Sequence, residues 1–145
     1  MTAHVENGSM ALRDMLATLV RVLLAAFFAF VGYWKALGPI DALAEHHAWV
    51  AGLPVWFARA VGWSELACAA ALVVSILGKL RRLATATAIV LIVNQLVALG
   101  VHLARGEAAA AGPQNLVLIA LLAYVLLDPP RSQSANAAAQ TIGAK

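Results

Sequence analysis

The chain has a single cysteine, Cys68, which excludes an internal disulfide, a CxxC redox pair and any cysteine-rich metal centre. Redox chemistry would therefore need a cofactor or a partner. Charge is scarce as well: Asp, Glu, Lys and Arg make up 12% of the 145 residues, about half the share in an ordinary soluble domain. Ten basic against seven acidic residues give a net charge of +3. The basic residues punctuate apolar runs and form no stripe interleaved with aromatics, so no nucleic-acid partner is expected. There is no phosphate-binding loop, nucleophile elbow or HExxH motif. Internal repeats are lacking too, which disfavours an alternating transporter built within one chain, although a homo-oligomer stays open.

What the chain does have is apolar surface. Hydrophobic residues make up 63%, more than a chain this short can hide behind so few polar side chains, so the lipid bilayer is the expected partner. Four runs, at about 15–37, 57–78, 83–104 and 114–128, are long enough for helices crossing a hydrocarbon core of roughly 30 Å. The expected fold is all-α: a polytopic membrane protein with an antiparallel four-helix transmembrane bundle over 15–128. The fourth run is short and should borrow a turn from its flanks, and Pro129–Pro130 ends it, because proline has no N–H to donate.

Residues 1–14 are too acidic and too long for the leading region of a cleaved signal, so the first run is expected to be a retained helix behind a short N-terminal segment. Residues 129–145 are small and polar and are expected to form a disordered tail. Orientation follows from basic residues. Arg13, Arg21, Lys79, Arg81, Arg82, Arg131 and Lys145 fall on one side, and Lys35, Arg59 and Arg105 on the other. Both termini are therefore expected in the cytoplasm, with the protein in the cell inner membrane. The segment 38–56 then lies outside as a short interfacial helix, and Trp34, Trp49, Trp56 and Trp63 form an aromatic belt.

Five polar residues stand inside or at the edge of these runs. Glu65 lies eight residues past Phe57, on the order of 12 Å below the outer edge. A carboxylate there should face the bundle, either paired or protonated. Lys35, a turn from the outer end of helix 1, is its most plausible partner, with snorkelling to the headgroups the alternative. Gln95 and His102 are seven residues apart and share a face, whereas Asn94 is rotated away from Gln95 by about 100°. Asn94 and Gln95 also suit interhelical hydrogen bonds. Asn115, beside Gln114, opens the fourth run and suits a helix cap. Lys35, Glu65, Gln95, His102 and Asn115 thus converge from all four helices on the outer half, and are the ligand-binding candidates. Glu45-His46-His47 lacks a third ligand at useful spacing, so no metal site is expected.

GYWKAL late in helix 1, GWSELACAAALVV in helix 2, and a histidine-ending third helix before a Gly-containing loop and an Asn-started fourth helix resemble the DoxX-like family. The likeness covers about 15–128. It implies a four-helix inner-membrane bundle, with some members tied to quinone-linked sulfur oxidation or to membrane thiol and oxidant defence. Lys35 and Glu65 fit the family's G-x-x-K and G-x-x-E positions, and His102 and Asn115 match more loosely. The absence of a cysteine pair argues against thiol exchange by this chain alone. The expected function is an accessory subunit of a membrane redox system, with a membrane or peripheral redox partner and an outer-half site for a quinone or another small ligand. The alternative is a non-catalytic membrane scaffold or small-solute binding protein.

Overall fold

A computed structural model describes residues 2–45, 48–77 and 80–127 of the chain. The described residues are helical apart from short connections, with α1 (Thr2–Leu37), α2 (Ile40–Glu45), α3 (Val55–Leu77), α4 (Arg81–Ala104) and α5 (Ala108–Leu127) in chain order. Four of these contain stretches long and apolar enough to cross a membrane: Leu12–Leu37, Val55–Leu77, Arg82–Ala104 and Ala109–Leu127. The expected disordered tail, the His46-His47 pair and Lys79 of the tight turn lie outside the described residues.

Each long helix buries one narrow stripe. On α3 it runs through Ala58, Gly62, Glu65, Ala69, Leu72 and Ser75, and on α4 through Ala84, Ala88, Leu91, Gln95, Ala98 and His102. Steps of three and four residues keep one side of a helix turned to its neighbours. Outside the stripes, large apolar side chains such as Leu19, Leu23, Val74, Val93 and Leu116 are exposed. This is the inverse of a soluble bundle and suits a lipid surround. The four helices form a ring in which α1 packs on α3, α3 on α4, α4 on α5, and α5 back on α1.

The buried interior has three levels. Leu24, Phe28, Leu72, Leu91, Leu118 and Leu122 join all four helices into one apolar cluster. At the end carrying α2, Leu43, Trp49, Val50, Ala58 and Ala98 form a second, smaller cluster. Glu65 and Gln95 lie between the two, while Ser75 lies past Leu72 and His102 past Ala98.

The α1–α3 contact sets the geometry of that polar level. A Cβ at Gly62 would come within 2.7 Å of the Lys35 carbonyl carbon, and one at Gly32 within 3.0 Å of both Glu65 Cβ and the Gly62 carbonyl oxygen. Only hydrogen at these two positions lets the backbones meet so closely.

The fourth spanning helix borrows more than the one turn expected ahead of residue 114: it begins at Ala108 and carries Pro113 inside it. Four consecutive alanines favour helix strongly. Proline so near the N-terminus leaves only one carbonyl of the first turns without its intrahelical donor. Helix α1 likewise continues back to Thr2.

Gly62→Ala is expected to destabilise the protein by about 1–3 kcal/mol through overpacking, despite alanine's better helix propensity. At Gly100, where an added Cβ meets nothing within 4 Å, the same substitution should be neutral or stabilising by up to about 1 kcal/mol. Thermal unfolding in detergent checks this, and equal responses at the two sites would contradict the packing account.

Candidate functional site

Gly32 and Gly62 each stand three residues before an ionisable side chain on the same helix, Lys35 on α1 and Glu65 on α3. One helical turn carries the close approach of the backbones over to the two side chains, and Lys35 Nζ lies 2.6 Å from Glu65 Oε1. Glu65 is fully buried and Lys35 only 7% exposed, so Lys35 does not snorkel to the membrane surface. Arg59 Nη1 donates to the Lys35 backbone carbonyl at 3.0 Å, satisfying an acceptor left open at the end of α1.

Glu65 Oε1 also accepts from Asn94 Nδ2 at 2.8 Å. Asn94, turned away from the Gln95 face, is therefore the α4 residue that reaches Glu65, and it links α3 to α4. The other carboxylate oxygen, Oε2, is buried without a hydrogen-bond partner among the described residues, as is Trp49 Nε1. With one oxygen unsatisfied, the carboxylate depends heavily on the two donors at Oε1.

Lys35 forms part of the wall of a cavity of about 610 Å³, within the usual range for small-molecule sites. Gln95, His102 and Asn115 line it as well, each less than a tenth exposed. Four of the five sequence candidates thus surround one space. Glu65 does not line it; it stands behind Lys35 and holds the ammonium in place. Phe27, Phe30, Trp34 and Trp49 supply the aromatic wall.

Asn115 is not a helix cap. It lies inside α5, and its Nδ2 donates to the Ala111 carbonyl at 3.0 Å, so its side-chain oxygen remains as an acceptor.

Of the wall residues that the sequence reading missed, two meet the polar candidates directly. Trp49, expected in the aromatic belt, is 6% exposed, and its ring lies 5.7 Å from Lys35 Nζ, within reach of a cation–π contact. No local signal separates an interfacial tryptophan from one folded back over the bundle. Trp56 and Trp63, by contrast, are well exposed.

The second is Glu107, and here the sequence held a signal. Gly106 takes a left-handed conformation, φ +74°, directly after α4. Its N–H bonds to the Leu103 carbonyl at 3.1 Å, and the N–H of Glu107 to the His102 carbonyl at 2.9 Å, the paired bonds of a Schellman ending. That turn folds residue 107 back over residue 102, and Glu107 Oε2 meets His102 Nδ1 at 2.8 Å. The string HLARGE, with glycine just past the helix end, encodes the contact.

The family model of the DoxX-like family matches residues 19–125. No curated protein and no solved structure gives a significant match.

Breaking the buried pair from one side should cost roughly 3–5 kcal/mol, because it strands a charge. Glu65→Gln and Lys35→Met are each expected to lower the melting temperature in detergent substantially, and the double variant to recover much of the loss. Strict additivity of the two single effects would contradict direct coupling.

Proposed function

The chain belongs to the DoxX-like family, and from that premise we propose that it is an accessory subunit of a membrane redox system whose cavity takes a quinone-like ligand. In this reading it sits in the cell inner membrane with both termini in the cytoplasm, so the cavity lies in the outer half of the bilayer. The observation that carries the reading is the conjunction of an aromatic-walled cavity with hydrogen-bonding groups from α1, α4 and α5. Sites for planar apolar molecules are mostly hydrophobic, with a few polar groups that fix orientation.

The chemistry follows from the donors and acceptors. Lys35 gives one ammonium proton to Glu65 and keeps two for a ligand carbonyl. Trp49 lies beside it and offers a ring face. Across the cavity, His102 has its Nδ1 engaged by Glu107, which leaves Nε2 to exchange a proton with a ligand oxygen. The Glu107 side chain is 34% exposed, so the pair runs from a buried ring toward the surface at the α4–α5 connection. Asn115 Oδ1 adds an acceptor, favouring a ligand that carries a hydroxyl in one of its states. The redox partner would supply or remove electrons, and this chain's residues would orient the ring and move protons.

One observation favours the scaffold alternative. Glu65 lies outside the cavity wall, and its links to Lys35 and Asn94 tie α1, α3 and α4 together, which is a bundle-locking role.

The test is purification in mild detergent, extraction of bound lipid and an ultraviolet spectrum of the extract, followed by titration of the protein with a ubiquinone analogue and tryptophan fluorescence as readout. Co-purified quinone and saturable quenching, weakened in Lys35→Met and His102→Phe, are expected. Quenching that does not saturate, with no quinone in the extract, would leave the scaffold reading.

A further inference from the structure

Buried residues cover part of the cavity at the α2 end, partly exposed Glu107 lines it at the α4–α5 connection, and lining residues of α1 and α5 are exposed at its side. At the α2 end, Leu43 and Trp49, both almost completely buried, cover it, and Arg105 Nη2 donates to the Ala51 carbonyl, tying the loop after α2 to the end of α4. Around the ring, α1 and α5 touch least of the four neighbouring pairs of long helices. Phe30 and Trp34 on α1, and Ala110 and Gln114 on α5, line the cavity and are at the same time exposed on the outer surface. Within each pair the residues are four apart, so each pair forms one edge of a slot along the α1–α5 seam.

The outer members of the slot, Ala110 and Trp34, lie one and three residues from the ends of their apolar spans, and the inner members, Gln114 and Phe30, five and seven, so the slot runs from near the end of the bundle to roughly 8–10 Å below it. Its inner end is among acyl chains. A polar side chain at that level needs a hydrogen-bonding partner, and Gln114 lines the cavity, where the head group of a ligand would supply one. The polar groups Lys35, Gln95 and His102 lie further in, and Phe27 and Val31 form the apolar floor next to the slot.

Resting on the quinone-like reading of this cavity, we propose that the α1–α5 seam is a lateral portal: the ligand is an amphiphile already dissolved in the bilayer, which inserts its compact polar head while its apolar chain stays in the seam among the lipid tails. The seam is thus the specificity element for the chain, and the inner polar groups for the head.

The experiment uses the full chain in lipid nanodiscs and two probes with the same fully substituted ubiquinone-type ring, one carrying a decyl chain and the other a methyl group in its place. Gln114→Phe, which narrows the slot from its exposed edge, is expected to weaken the decyl compound about tenfold and to leave the methyl compound nearly unchanged. Partitioning into lipid is common to wild type and variant and cancels in the comparison. A parallel measurement uses Gln114→Cys in a Cys68→Ala background, spin-labelled in detergent before reconstitution: the decyl compound should restrict the motion of the label at position 114, and the methyl compound should not. Equal responses to the two probes, or no response to either in the variants, would overturn the portal. If neither probe binds the wild-type protein, the quinone reading itself fails and the portal with it.

Discussion

Two backbones that touch at Gly32 and Gly62 create the condition on which the rest of the site depends. Because no Cβ separates α1 from α3 there, Lys35 and Glu65, one turn further along, are brought to 2.6 Å with both side chains almost completely buried. Neither charge would be tolerated alone in that setting. Desolvation costs several kcal/mol per ion, and attraction offsets it only where geometry and additional hydrogen bonds are good. Asn94 supplies the additional bond and Arg59 anchors the backbone behind Lys35. The pair therefore fixes the ammonium group on one wall of the cavity with little freedom to move.

The opposite wall is built by different means. There a helix ending does the positioning: the left-handed Gly106 turns the chain back on α4, so the Glu107 N–H meets the His102 backbone carbonyl and its carboxylate meets the His102 ring. Between these walls, the apolar cluster of all four helices closes one end and the fold-back of Trp49 covers the other. The cavity is thus a gap in a stack of interior layers, with polar side chains occupying positions that alanine and leucine hold elsewhere on the same stripes.

Most of the fold was legible because the membrane leaves few choices: runs of about twenty apolar residues must be helices, and the four spans lie close to where the sequence suggests. The candidate set was legible for the same reason, since polar groups in such runs are rare and costly. What the sequence did not show was the partner of Glu65 on α4 and how early the fourth helix begins. The α4 residue that meets Glu65 is Asn94 and not its neighbour Gln95, because a side chain at the edge of a stripe can reach a partner that helical position alone does not indicate. The fourth helix begins six residues early because a run of alanines outweighs the glycine and proline that read as loop. Trp49 was unreadable, since an indole suits the membrane interface and a buried cap equally well.

The central claim is that Glu65 is held as a charged carboxylate by Lys35 inside the bundle. Infrared difference spectroscopy of the protein in lipid, wild type minus Glu65→Gln, tests it most directly, because the subtraction isolates the one carboxyl group. The account predicts that the isolated band is that of an ionised carboxylate, and that in a Lys35→Met background the same subtraction gives the band of a protonated acid. A protonated carboxyl band in the unmodified protein would contradict it.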